Sequence, residues 1–178
     1  LGTGYYNVWV NIKLATKQNR TPFTHFVDEK PYLVPVAHGE GRFLTAHEDL
    51  KTKLQENEQI VFQYCTKEAQ VINEFPTNPN GAMFNAAAIC NPQGNVLAIM
   101  PHPERGHPVA AIKEMFASLK HHLEEKPKLH SFENYSLDLL DKNPAKYESK
   151  GKQLIIKDII TDNEAYTLEN TISKVLDK

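Results

Sequence analysis

Apolar and polar residues alternate almost from the first position. In LGTGYYNVWVNIK, Val8, Val10 and Ile12 fall on one face and Trp9 on the other, the period-two pattern of a half-buried strand. With 7–14 as the first strand, four further runs read the same way: 32–37 (YLVPVA), 60–65 (IVFQYC), 83–90 and 95–100 are rich in β-branched, aromatic or small apolar residues. The last two are separated by CNPQGN, whose Asn, Pro and Gly mark a tight turn, so a β-hairpin is expected. Helical spacing enters twice. Thr45 or Ala46 to Asn57 predicts a short helix, with Thr45 and Glu48 at capping-box spacing and Leu50 and Leu54 on one face. Pro108 suits a helix start, and Val109, Ile112, Met115, Phe116, Leu119 and Leu123 follow at helical spacing, predicting a core-packing helix to about Glu125.

Lys126-Pro127 ends that pattern. PKLHSFENYSLDLLDKNPAKYESKGK is polar and interrupted by Pro144 and Gly151, so it reads as an irregular linker. QLIIKDIIT then alternates as a strand, and Asp162 or Asn163 can cap a last helix to about Leu176. The expected organisation is an α/β sheet domain over 1–125 and a linker plus small α/β extension over 126–178. Apolar stripes in the extension predict that it docks on the domain, leaving the stretch between Pro127 and Gly151 as the first target of proteases.

Composition narrows the classes. The chain has 178 residues, 40% hydrophobic and 24% charged, with a formal net charge of -2. Scattered basic residues and that charge argue against a nucleic-acid partner or an acidic membrane surface. No apolar run approaches the ~20 residues that cross a bilayer, and no basic-then-apolar leader opens the chain. The expected location is cytoplasmic. Cys65 and Cys90 can form at most one disulfide, and in a reducing cytosol they read as two buried thiols. Two glycosylation sequons, at Asn19 and Asn134, are too short a signal to reverse that.

Three stretches carry candidate chemistry. In NVLAIMPHPERGHP, Pro101 and Pro103 hold His102 in extended geometry at the end of an apolar strand, with Glu104 two residues on. A rigid His beside a Glu is what an acid–base pair in an α/β enzyme looks like, and also what an ordinary turn looks like. In AHGEGRF, Gly39 and Gly41 flank Glu40 after a strand, either a loop for close backbone approach or a glycine turn with His38 exposed. Asn78-Pro79-Asn80-Gly81 is a turn by composition. A zinc site at His102, Glu104 and His107 fails, because Pro103 and Gly106 interrupt any helix and the histidines are five apart. His121 and His122, adjacent on a helix, point different ways and are expected in solvent.

A His–Glu pair needs a nucleophile. Cys90 in AAAICNPQG lies between Ala88 and Pro92 and enters a hairpin, whereas a nucleophile elbow is a strained strand-to-helix turn between small residues. Structural thiols are the expected reading for Cys90 and Cys65 alike.

Taken in order, VPVAHGEGRF, QIVFQYC and FPTNPNGAMFNAAAICNPQGNVLAIMPHPER closely resemble the glutaminase subunits of phosphoribosylformylglycinamidine synthase, class I glutamine amidotransferases of purine biosynthesis. The resemblance covers about residues 5 to 120. It implies a flavodoxin-like α/β class I glutamine amidotransferase fold and a Cys-His-Glu triad, in which Cys forms a thioester with glutamine and His102 and Glu104 take the acid–base and orienting roles. It also implies that ammonia passes to a synthetase subunit holding ATP and magnesium, with a small third subunit in some complexes and no cofactor or metal in this chain. The family's Gly-x-Cys-Asn-Gly elbow does not occur in the sequence. The first strands and the nucleophile are therefore expected on an N-terminal segment preceding Leu1, leaving this chain inactive alone. The alternative is a non-catalytic module that binds the synthetase through HGEGRF and NPNG.

Overall fold

The computed structural model describes residues 5–39, 41–105 and 110–136, with only the backbone of 110–112. All of them lie in the first of two units, Leu1–Leu139 and Leu140–Lys178, into which the chain divides. The strand and helix expected after residue 151 fall outside the described residues.

The fold is α/β. Five strands, β1 (Tyr6–Leu14), β2 (Tyr32–His38), β3 (Ile60–Cys65), β4 (Ala86–Cys90) and β5 (Leu97–Ile99), form one sheet in the order β2-β1-β3-β4-β5. Every described pairing is antiparallel. Two helices, α1 (Glu48–Glu56) and α2 (Ala110–Glu125), accompany it. No helix of the described residues is long and apolar enough to cross a membrane.

Alternation decides the faces. Register places Val10 opposite Val34, Ile12 opposite both Tyr32 and Tyr64, and Leu14 opposite Phe62. These side chains form the core together with Val36, Ala87, Ala88, Val27 and Met115, while Trp9, one position out of phase, points away and is half exposed. β2 lies at an edge of the sheet, where Pro35 can lack an N–H without breaking a ladder. The sheet curls so that its two edges meet: past β5, the His102 N–H donates to the Pro35 carbonyl at 2.7 Å. That contact fixes where the turn after β5 ends up, against the edge strand β2.

Three local expectations differ from what forms. Helix α1 starts at Glu48 with His47 as its cap and no side-chain cap, because the Thr45 hydroxyl accepts the His47 N–H at 3.2 Å. Residues 83–85 form a single 3₁₀ turn with Phe84 and Asn85 at positive φ, so only Ala86–Cys90 pairs as a strand. In α2, Met115 and Ser118 are buried, whereas Phe116 is 51% and Leu123 66% exposed; the helix meets the sheet on a different arc from the one its apolar spacing predicts.

Residues 126–136 have no regular secondary structure, but they are pinned. Arg20, fully buried, donates through Nε to the Glu58 carbonyl and through Nη1 to that of His130, each at 3.1 Å. Its Nη2 reaches the carbonyls of Asn57, Asn91 and Pro92 at 3.0–3.1 Å. The guanidinium lies 5.3 Å from the Phe132 ring centre. The His130 and Phe132 N–H groups donate to Asn19 and Pro92, and the Tyr135 hydroxyl donates to Gln59. One cation thus ties the end of α1, the β4–β5 turn and the segment after α2. Gly94 (φ +78°) permits this, since a Cβ there would lie 2.0 Å from the Arg20 carbonyl oxygen.

Candidate active site

The curl of the sheet brings the three singled-out stretches together. Asn80 Nδ2 donates to the Gly41 carbonyl at 2.8 Å, and the Met83 N–H donates to the Phe43 carbonyl at 2.9 Å. A Cβ at Gly41 would lie 2.6 Å from the Met100 sulfur, so the 37–43 loop and the Met100 side chain at the end of β5 are in close contact. Inside the 78–82 turn, the Ala82 N–H donates to both Asn78 Oδ1 and Asn80 Oδ1 at 3.1 Å, and Asn78 Nδ2 returns a bond to the Ala82 carbonyl at 2.9 Å. Both asparagines are buried. Composition marks this stretch as a turn; the structure makes it the brace between two loops. Glu40 lies outside the described residues.

His102 is held by its backbone on β2 and by its side chain on Glu104. Its Nδ1 lies 2.7 Å from Glu104 Oε1, and Arg105 Nε lies 3.7 Å from the same oxygen. Desolvation pulls the Glu104 carboxyl up, but its own backbone N–H, the bond from His102 and the His102 and Arg105 charges outweigh this and hold its pKa below the usual value. An ionised carboxylate only accepts hydrogen bonds, so Nδ1 carries a proton and, in the neutral ring, the lone pair falls on Nε2. The pair can take a proton at Nε2 and stabilise the resulting imidazolium.

His38 ends β2 next to this pair. Both of its ring nitrogens are inaccessible to solvent and have no partner among the described residues. Burial, and then the neighbouring His102, lower its pKa below 6.5, so it stays neutral where an ordinary histidine takes a proton. The unfolded chain then binds more protons than the folded one below pH 6.5, and folding stability is expected to fall with pH from that point. Urea unfolding between pH 7 and pH 5 checks this: the wild type should lose more stability than His38→Asn, and equal losses would contradict the assignment.

The two thiols do not join the site. Burial pushes Cys65 and Cys90 each up to about 11, against smaller lowering effects from Lys13 and Arg20. Both are free and buried, and Cys90 is clamped through its backbone, with N–H to the Gln59 carbonyl and C=O to Gln59 Nε2. His121 is half-buried rather than solvated, stacked on His25 with ring centres 4.5 Å apart. His107 lies outside the described residues.

Residues 3–136 match the model of the CobB/CobQ-like glutamine amidotransferase domain. The chain belongs to this family. Its α/β fold is the amidotransferase fold expected from the sequence. Relatives carrying the name phosphoribosylformylglycinamidine synthase subunit PurQ include one from Methanothrix thermoacetophila, 36% identical over 137 residues that make up 69% of this chain and 52% of the relative. Another, from Methanococcus maripaludis, is 46% identical over 98 residues, 54% of this chain and 34% of the relative. The solved structure of PurLQS from Thermotoga maritima aligns at a TM-score of 0.49 and 26% identity over 67% of this chain and 48% of that one. The chain spans about half, or less, of the length of these curated relatives.

Proposed function

We propose that this chain supplies the acid–base half of a glutamine amidotransferase of purine biosynthesis, with His102 as the proton carrier and Glu104 as its orienter. The 2.7 Å contact between His102 Nδ1 and Glu104, on a backbone anchored to β2, carries the reading. The names of the relatives support the pathway.

The nucleophile comes from a segment bearing a Gly-x-Cys-x-Gly elbow, on the same polypeptide or another, and glutamine is the substrate. His102 Nε2 takes the thiol proton, and the thiolate attacks the side-chain amide carbon of glutamine. The C–N bond breaks, His102 returns the proton to the departing ammonia, and a thioester remains. Water then attacks the thioester, His102 accepts its proton and passes it to the thiolate, and glutamate leaves. Ammonia goes to a synthetase subunit that converts formylglycinamide ribonucleotide to formylglycinamidine ribonucleotide, with ATP and magnesium held there and a small third subunit where the complex has one. This chain is assigned no cofactor of its own.

Reconstitution tests the reading. The chain alone should show no glutaminase activity, and isolation through a tag on the chain, together with its elbow-bearing segment, should restore it. A complex that contains the synthetase and such a segment but hydrolyses no glutamine would instead favour a non-catalytic module docking on the synthetase through residues 38–43 and 78–81.

A further inference from the structure

An imidazole and a thioether meet where the 37–43 loop passes the end of β5, and the proposed reaction uses neither. His38 continues the inward phase of β2 after Tyr32, Val34 and Val36 and pairs with Tyr6, so alternation calls for an apolar residue there. Its two ring nitrogens are instead shut off from solvent and meet no partner among the described residues. The neutral ring, which burial favours here, has one N–H donor and one acceptor, and both are left over. Met100 comes to the same place. A Cβ on Gly41 would lie 2.6 Å from both its Sδ and its Cε, and 3.7 Å from His38 Cβ, so the thioether rests on the Gly41 backbone beside the root of the imidazole.

The surroundings of this contact are held. Asn80 Nδ2 binds the Gly41 carbonyl at 2.8 Å, and the Met83 N–H binds that of Phe43 at 2.9 Å. At the strand end the Met100 N–H donates to Ala87 and the His102 N–H to Pro35. Of the three methionines in the chain, Met115 is buried in the core, whereas Met83 and Met100 are half-buried. A thioether is a weak acceptor and a sulfoxide oxygen a strong, polar one. The bond that His38 lacks becomes available only when Met100 is oxidised.

We propose that Met100 is a site of reversible oxidation to the sulfoxide, that the unpartnered His38 N–H donates to the new oxygen, and that the modification slows turnover at His102. With hydrogen peroxide as oxidant, Sδ attacks one peroxide oxygen and the O–O bond breaks. The proton of the transferred oxygen goes to the departing hydroxide, giving water, and the two electrons lost by sulfur reduce the peroxide. A polar group then stands in an apolar contact two residues before His102. Because the strand end and the loop are each anchored by backbone bonds, the change is passed to the turn that carries the imidazole. The effect on turnover rests on the proposed function, and the modification does not.

Peptide mass mapping of the 178-residue chain during peroxide treatment reads the modification by itself. Sulfoxide should form at Met100 several-fold faster than at Met83. His38→Leu, which suits the inward phase of β2, should bring the Met100 rate down to that of Met83, and His38→Asn, which keeps a donor, should leave it fast. Equal rates at the two methionines, or an unchanged Met100 rate in His38→Leu, overturn the inference. Buried Cys65 and Cys90, each pushed up to about 11, take little part. Turnover is read in the complex with the elbow-bearing segment, its nucleophile masked as a mixed disulfide during treatment and then freed with dithiothreitol, which leaves a sulfoxide in place. It should fall about tenfold or more, return with methionine sulfoxide reductases, and hold in Met100→Leu. Complete conversion of Met100 with unchanged turnover, or an equal loss in Met100→Leu, also overturns the inference. An untreated complex without turnover defeats the catalytic assignment alone, since the mapping and the two His38 variants still decide the modification.

Discussion

His102→Ala, made in the complex that contains the nucleophile, is expected to reduce glutaminase turnover by about 10²-fold or more while leaving the circular dichroism spectrum unchanged. His102 is held at two points, its backbone N–H on the Pro35 carbonyl and its ring Nδ1 on the Glu104 carboxylate. Nothing in the core depends on the imidazole: the strand-end geometry comes from Pro101, Pro103 and the backbone bond to Pro35, all retained in the variant. The loss should therefore appear in kcat with little change in stability. Glu104→Gln should act in the same direction through the orientation and charge of His102. A His102→Ala complex with near-normal turnover would reduce His102 to a turn residue.

The second large effect is on stability. Arg20→Met keeps most of the apolar stem but withdraws the donors from five backbone carbonyls, those of Asn57, Glu58, Asn91, Pro92 and His130. Buried acceptors left without a partner, together with the loss of charge-assisted bonds, should cost about 3 kcal/mol or more. The urea midpoint is expected to fall accordingly. Because Arg20 also holds the segment after α2, trypsin or chymotrypsin should gain access to 127–136 in the variant, whereas in the wild type cleavage should begin beyond it. An unchanged midpoint, or early cutting at Phe132 or Tyr135 in the wild type, would contradict the role given to Arg20.

The parts of the fold that were legible from sequence are those set by local chemistry. Two-residue alternation located β1, which has one face in the core and one outside it, and runs rich in β-branched and aromatic residues located β2 and β3, all to within a residue. The Asn-Pro-Gly turn gave the β4–β5 hairpin, with the Asn91 side chain accepting the Val96 N–H. What depended on tertiary partners was not legible. Arg20 sits among polar residues in KQNRT, and no sequence signal separates it from a surface arginine. The inward arc of α2 was misread because its apolar stripe and its observed contacts are different faces. At the site, PHPER was informative since two prolines constrain one histidine. The bracing by Asn78 and Asn80 and the burial of His38 arise from the curl of the sheet, which no single stretch encodes.

The central claim is that the proton carrier is in this chain and the nucleophile is not. Labelling with a glutamine-mimicking diazo-ketone, followed by peptide mapping of the attached carbon, tests it most directly. With Cys65 and Cys90 buried and each pushed up to about 11, the isolated chain should take up no label, and the complex should take up one equivalent on the cysteine of a Gly-x-Cys-x-Gly elbow outside these 178 residues. Stoichiometric labelling of Cys90 or Cys65 in the isolated chain would contradict the account.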